Sequence, residues 1–207
     1  MSVLIIGSEG SMGKRYQAIF KFLGIKFDTY DMEMNFDKKT IDKKIVHNNK
    51  ILITSPTETH FEWVSHITKL VKNKRILCEK PLSKDIGETE KMLESNLKMV
   101  LQYKYMPFDK YEYELGGGSK YDYFRSGKDG LAWDCLQIIG LSEDMAFLSN
   151  KSPIWNCKIN GKKLNFSHMD FAYIEMLRSF LVSEDDQEKQ DILNMHKKVI
   201  EGKYILL

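Results

Sequence analysis

The stretch VLIIGSEGSMGKRY, Val3 to Tyr16, decides how the chain begins to fold. Val3 to Ile6 is a short apolar run of the kind that forms a strand buried on both faces. It ends in Gly7, Ser8, Glu9, Gly10, Ser11, Met12 and Gly13. Beyond the turn, Met12, Tyr16, Ile19, Phe20 and Leu23 recur near the helical period, and Gly24 is placed to end the helix as a C′ residue. KFDTYD then reads as a second strand that ends in Asp31. This order carries chemistry. Glycines let a turn bend sharply and let its backbone approach a diphosphate, and the helix start offers unpaired N–H groups and a partial positive charge. A carboxylate at the tip of the second strand can accept hydrogen bonds from ribose hydroxyls. Asp31 would also repel a 2′-phosphate, so NAD is favoured over NADP. The spacing G-x-x-G-x-x-G is one residue longer than the usual G-x-G-x-x-G, with Ser8 where the first glycine would stand. A glycine turn in an α/β protein that binds no nucleotide has the same local pattern. The full succession of strand, turn, helix, strand and terminal aspartate points to a dinucleotide.

The remainder of the first half repeats the alternation. KILITSP, from Lys50, is another buried-type strand, ending at Thr54, Ser55 and Pro56. Thr59 and Glu62 form a T-x-x-E capping box for a helix with the stripe Trp63, Val64, Ile67, Leu70 and Val71. RILCEKPLS is a strand and turn, KDIGETEKMLESN an amphipathic helix and KMVLQYKYMP a further strand. The expected fold class is α/β: a Rossmann-type, doubly wound parallel sheet, followed by a second, truncated α+β domain.

Residues 3 to about 110 resemble the glucose–fructose oxidoreductase, inositol dehydrogenase and rhizopine catabolism family. The resemblance is carried by GSEGSMGKRY, Asp31, TSPTETH and the tripeptide Glu79-Lys80-Pro81. It implies that Gly7, Ser8, Gly10, Ser11, Met12, Gly13, Asp31, Thr54, Ser55, Pro56, His60, Glu79, Lys80 and Pro81 surround the cofactor. It also implies that Lys80 reaches the reacting carbon. The residues themselves agree on Lys80: it stands at the carboxyl end of an expected central strand, where open α/β sheets bind ligands, and Pro81 restricts it to extended backbone. An ammonium there can orient a substrate oxygen or exchange a proton. A solvated surface lysine is the competing reading, and His60 can equally be an exposed first-turn residue.

The second half is short for that family. Gly116-Gly117-Gly118-Ser119 is the best linker in the chain, so the dinucleotide-binding domain is expected over 1–117 and a reduced substrate or dimerisation domain over 118–207. GLAWDCLQIIGL has helical spacing. The family often places a histidine on the corresponding helix as proton-transfer partner of the lysine, but Leu131 stands in that position. Asp134 matches the later aspartate of the helix, and Asp134, Asp129 or Tyr105 could serve as the acid/base instead. Asp134 can also be a helix-face residue with a structural hydrogen bond. IWNCKING and KKLNF suggest a hairpin turned at Asn160-Gly161. SHMDFAYIEMLRSFL suggests a helix capped by Ser167, with the stripe Phe171, Ile174, Leu177, Phe180 and Leu181. His168 could come near the site, although a helix-start histidine is usually exposed. A last helix runs through DILNMHKKVIEGKY.

Hydrophobic residues make up 43% and charged residues 29% of the 207, and the formal net charge is +2. So small a charge, with Lys and Arg scattered, argues against nucleic-acid or membrane partners. No apolar run is long enough to span a membrane, and the start lacks the layout of a signal peptide. Cys78, Cys135 and Cys157 fit reduced, buried thiols of a cytoplasmic protein better than disulfides or a metal site. The function expected is an NAD-dependent oxidoreductase acting on a hydroxyl or keto carbon of a sugar, cyclic polyol or nucleotide-activated sugar. Imine or pyrrole-type reduction also occurs among relatives. The alternatives are a non-catalytic NAD-binding or sensing protein, a subunit that needs a partner, or an α/β protein whose turn takes another nucleotide. A homodimer would cover the apolar surface left by a trimmed sheet.

Overall fold

In the computed structural model, Val3–Ile6 forms β1, and each of its four side chains is buried. Strands β2 (Phe27–Tyr30), β3 (Lys50–Ile53), β4 (Arg75–Cys78) and β5 (Leu97–Met99) complete a five-stranded sheet of order β2-β1-β3-β4-β5. Every pairing is parallel. The register is in step: Val3 faces both Phe27 and Lys50, and Ile6 faces both Tyr30 and Ile53. The carboxyl ends of β1, β2, β3 and β4 therefore come out level. The structure describes residues 2–32, 38–107, 132–142, 145–148, 158–159, 162–182 and 189–206. It divides into one unit that reaches to Val100 and another that begins at Leu101. The expected linker at 116–119 lies outside the described residues.

Four helices flank the sheet of the first unit: α1 (Ser11–Phe22), α2 (Lys38–His47), α3 (His60–Leu70) and α4 (Ile86–Leu93). Parallel strands joined by right-handed crossovers put α1 on one face and α2, α3 and α4 on the other. That is the doubly wound arrangement the alternation implied. The chain leaves β1 toward β2, then returns to place β3 on the other side of β1. Between β1 and β3 the winding reverses, which is the point at which open α/β sheets generally bind ligands.

The helix ends show how local chemistry decided the boundaries. At the end of α1, Gly24 takes φ 66°. Its N–H reaches Lys21 O at 3.1 Å, and the N–H of Ile25 reaches Phe20 O at 2.9 Å, which closes the helix as a left-handed C′ residue does. Asp85 caps α4 by accepting from the N–H of Glu88 at 2.8 Å. The capping box expected at Thr59 does not form. Thr59 has near-helical φ and ψ rather than the extended backbone of a cap, and its hydroxyl instead contacts Pro56 O at 2.7 Å and Ser55 Oγ at 2.8 Å. The segment after β3 thus starts as a 3₁₀ turn, Thr57–Thr59, and only then becomes α3. Leu70, expected in the buried stripe of α3, is 38% exposed.

The expected strand KMVLQYKYMP is shorter than its apolar run suggests. Only Leu97–Met99 pairs, and Gln102–Tyr105 is a 3₁₀ turn that belongs to the second unit. Gln137 holds that turn: its Oε1 accepts from the N–H of Tyr103 at 3.1 Å, and its Nε2 donates to Gln102 Oε1 at 2.7 Å.

In the second unit, α5 (Leu136–Leu141), α6 (Met169–Val182) and α7 (Lys189–Ile200) accompany two small sheets. β6 (Ala146–Leu148) pairs in parallel with β9 (Tyr204–Leu206), and β7 (Lys158–Ile159) pairs antiparallel with β8 (Lys162–Lys163). The last pair is the expected hairpin, although Asn160 and Gly161 lie outside the described residues. The buried face of α6 consists of Ala172, Tyr173, Met176, Leu177, Phe180 and Leu181, and Phe171 is 51% exposed. The expected stripe stepped mostly by three residues, whereas the buried face keeps the 3.6-residue period of the helix, so Phe171 and Ile174 fall outside it. Among the described residues no helix is long and apolar enough to cross a membrane.

Candidate functional site

At the carboxyl edge of the first unit, the glycine turn packs against the ends of β2 and β3. The N–H groups of Gly7 and Ser8 both donate to Tyr30 O, at 2.9 and 3.2 Å. The Thr54 hydroxyl lies 2.9 Å from Ile6 O and 2.8 Å from Gly7 O, and Gln17 Nε2 donates to Ser8 O at 2.7 Å. Two of the glycines are needed for this packing. Gly7 has φ 84°, and a Cβ there would lie 2.4 Å from Ser55 N. A Cβ at Gly13 would lie 2.3 Å from Gly7 O. Gly10 differs: a Cβ would meet nothing nearer than Gly7 O at 3.5 Å, and the residue is exposed. The protein's own atoms do not require a glycine at position 10; a ligand backing onto it would.

Gly10 is also the N-cap of α1. No side chain caps this helix, and its first turn holds no acidic residue. The first main-chain bond is from the N–H of Lys14 to Gly10 O at 2.9 Å, so the N–H groups ahead of it lack intrahelical acceptors. An uncapped helix start beside an exposed glycine fits the diphosphate of a dinucleotide. Asp31, just past β2, stands over the same turn and accepts from the N–H of Glu9 through Oδ2 at 2.9 Å. A carboxylate held there fits a ribose diol.

Several residues expected around a cofactor turn their polar groups inward. The Ser8 side chain is buried, and its hydroxyl has no hydrogen-bond partner among the described residues. His60 is 1% exposed. Its Nδ1 lies 3.0 Å from Pro81 O and its Nε2 2.8 Å from Ser55 O. A neutral imidazole donates to one of these carbonyls and an imidazolium to both. Either way the ring ties the loop after β3 to the loop after β4. Ser11 and Pro56 are exposed, and Met12, Thr54 and Ser55 are partly so.

Beyond β4 come Glu79, Lys80 and Pro81, with a cis bond between the last two. Lys80 is half-buried. Glu79 is buried, and its Oε1 accepts from the Tyr16 hydroxyl at 2.6 Å while its Oε2 accepts from the N–H of Lys80 at 3.2 Å. Burial pushes the Glu79 carboxyl above its ordinary range; the Tyr16 hydrogen bond, the Lys80 charge and amide, and His60 oppose that shift. Burial, aided by the neighbouring Glu79, also pushes the Cys78 thiol well up, which makes it a poor nucleophile.

The other expected acid/base candidates belong to the second unit. Tyr105 is half-buried in its 3₁₀ turn, while Asp134 and His168 are exposed. Asp129, Leu131 and Cys157 lie outside the described residues. Sequence reasoning missed the Tyr16–Glu79 bond, because a tyrosine in a helical apolar stripe reads as core and its partner is 63 residues away.

Residues 16–103 match the model of an oxidoreductase family with an NAD-binding Rossmann fold, GFO_IDH_MocA. The match to this oxidoreductase family spans most of the first unit. Two solved structures agree on the fold. The chain is 13% identical to the WlbA (WbpB) dehydrogenase from Thermus thermophilus, solved in complex with NAD and UDP-GlcNAcA, with a TM-score of 0.65 over 99% of this chain and 95% of that one. It is 10% identical to a myo-inositol dehydrogenase from Corynebacterium glutamicum, with a TM-score of 0.63 over 98% and 96% of the two chains. Against a probable dehydrogenase from Thermotoga maritima, 19% identical with a TM-score of 0.37, the match covers 51% of this chain and 37% of that one. No curated protein matches the sequence. In the first unit, then, the glycine turn, Asp31 and Glu79-Lys80-Pro81 all stand at one end of the sheet.

Proposed function

We propose that the chain is an NAD(H)-dependent oxidoreductase that moves a hydride to or from a hydroxyl or keto carbon of a sugar-like substrate. The observation that carries this reading is the open start of α1. It lacks a side-chain cap, it begins at an exposed Gly10 that the fold does not need to be glycine, and Asp31 is fixed above it. In this reading Ser11, Met12 and Gly13 offer backbone N–H groups to the diphosphate, and Asp31 binds the adenosine ribose and disfavours a 2′-phosphate. Thr54, Ser55, Pro56 and His60 shape the neighbouring wall, His60 by holding Ser55 and Pro81 in place. Bound nicotinamide supplies or accepts the hydride. Lys80 orients the substrate oxygen, while Asp134 and Tyr105 are the candidates for taking or returning the hydroxyl proton. Nucleotide-activated sugars head the substrate list because the Thermus relative was solved with one. Homodimerisation and a cytoplasmic location belong to the same proposal.

The test is calorimetry with NAD+, NADH and NADPH, followed by nicotinamide absorbance with a panel of sugars, polyols and sugar nucleotides. NAD binding tighter than NADP binding, and turnover on at least one panel member, are the expected results. No heat with any of the coenzymes overturns the reading. Lys80→Ala is expected to leave NAD affinity nearly intact and to cut turnover by about 100-fold or more; unchanged turnover removes Lys80 from the chemistry. A second reading, NAD binding without catalysis, is favoured by Leu131 standing where the family resemblance places a histidine. It predicts tight NAD binding and no turnover across the panel.

A further inference from the structure

We propose that Tyr16 is a positioning residue for Lys80, acting through the buried carboxyl group of Glu79. The two oxygens of that carboxyl face different ways. Oε1 takes the Tyr16 hydroxyl from α1 at 2.6 Å, and Oε2 takes the Lys80 amide at the tip of β4 at 3.2 Å. Glu79 therefore bridges the helix that follows the glycine turn to the backbone of Lys80. Tyr16 is fully buried and Glu79 is 8% exposed, so water does little to screen either group. The groups that act on the carboxyl are the Tyr16 hydroxyl, the Lys80 charge and amide, the His60 ring and, next in the chain, the Cys78 thiol.

The pair is a costly way to fill space. A phenylalanine beside an apolar residue would pack the same volume with no carboxyl to desolvate, and such replacements are often neutral or stabilising. What the apolar version would lack is a negative charge beside the Lys80 ammonium and an acceptor for the Lys80 N–H. Burial disfavours the ionised carboxyl, and the tyrosine hydrogen bond favours it. Tyr16 thus decides how fully Glu79 acts as a counter-charge. Without the hydroxyl, the carboxyl holds its proton to higher pH, and the lysine ammonium loses part of its partner.

The role assigned to Lys80 rests on the proposed oxidoreductase reading, so the test has two separate arms. In the first, the full chain is acetylated at neutral pH with limiting acetic anhydride, and the modification of Lys80 is counted by peptide mass spectrometry relative to the exposed Lys91. Tyr16→Phe is expected to raise the Lys80-to-Lys91 ratio by about threefold or more, because the backbone of Lys80 loses its brace and the reagent reaches a loosened side chain more readily. Glu79→Gln is expected to raise it likewise, and the double variant to add nothing further, as for groups acting in series. A Tyr16→Phe ratio equal to that of the wild type overturns the proposal, as does an additive double variant. Should one variant fail to fold, the other decides. In the second arm, Tyr16→Phe is expected to lower kcat about tenfold with KM within about twofold. A raised KM with kcat intact would count against it. If the wild type turns over nothing, the enzyme reading fails while the acetylation ratio still decides the role of Tyr16.

Discussion

Gly10 shows how a single residue can hold stability and binding in opposition. The start of α1 lacks a cap, and supplying one is the simplest way to stabilise it. Gly10→Asp is expected to raise the stability of the ligand-free chain by about 0.5–1 kcal/mol, by accepting first-turn N–H groups and complementing the helix dipole. The same carboxylate would sit where the proposed diphosphate must rest. Calorimetry with NAD+ should therefore show binding lost in a protein that melts higher than its parent; retained binding would move the anion site elsewhere. At Gly13 the outcome is reversed, since a Cβ would press on Gly7 O and the turn itself would give way. Glu79 supplies a pH signature at the same scale. Its carboxyl ionises at higher pH in the fold than in the unfolded chain. Between those two values the native state binds more protons, so stability falls as pH rises through that window. Denaturant titrations at a series of pH values should show this slope, and Glu79→Gln should flatten it. An equal slope in the variant would assign the effect to other groups. The places of Asp31 and Lys80 after strands were legible. The hydrogen-bond partners of Tyr16 and His60 were not, because only the folded sheet brings them near.

Among the elements, the parallel strands were the easiest to read. Buried on two faces, they appear as unbroken apolar runs such as VLII and RILC. Helix starts were harder, because a capping pattern in sequence competes with whatever else the side chain can reach. Asp85 found its N–H, whereas Thr59 was diverted to the carbonyl of Pro56. The pairing of β6 with β9 left no local trace: each strand is three residues long, and both helices α6 and α7 lie between them. In the second unit, α5 meets α7 at Gly140, where a Cβ would lie 2.2 Å from Met195 Cγ and 2.8 Å from Met195 Cβ. The second of these atoms is too near the backbone to swing aside. Gly140→Ala is therefore expected to cost about 1–3 kcal/mol of stability. Adding Met195→Ala should recover part of that loss, a coupling that a double-mutant cycle in thermal melts measures directly. Strict additivity would show that the two helices do not meet there.

Across the whole chain, the two units answer acid differently. His196 is buried in α7, its Nδ1 lies 2.8 Å from Ile192 O, and its ring centroid is 5.9 Å from that of Trp133. Burial lowers its pKa below the ordinary histidine value, so the unfolded chain binds more protons between the two. The second unit should accordingly lose stability as pH falls through that interval. The first unit carries the opposite slope from Glu79. Hydrogen exchange followed separately in β1 and in α7 should resolve the two trends, and His196→Gln should weaken only the latter. Parallel trends in both units would contradict this division. The first unit could be outlined from the sequence because its strands and helices alternate regularly. In the second the helices and the hairpin were legible, but the β6–β9 pair was not, because it joins distant segments. The β6–β9 pair carries a consequence for biosynthesis. On the ribosome the five parallel strands emerge in one uninterrupted block and can collapse together early. Ala146–Leu148 must remain without its neighbour until Tyr204–Leu206 has been translated, so a chaperone that shields nascent edges would be needed chiefly during that interval.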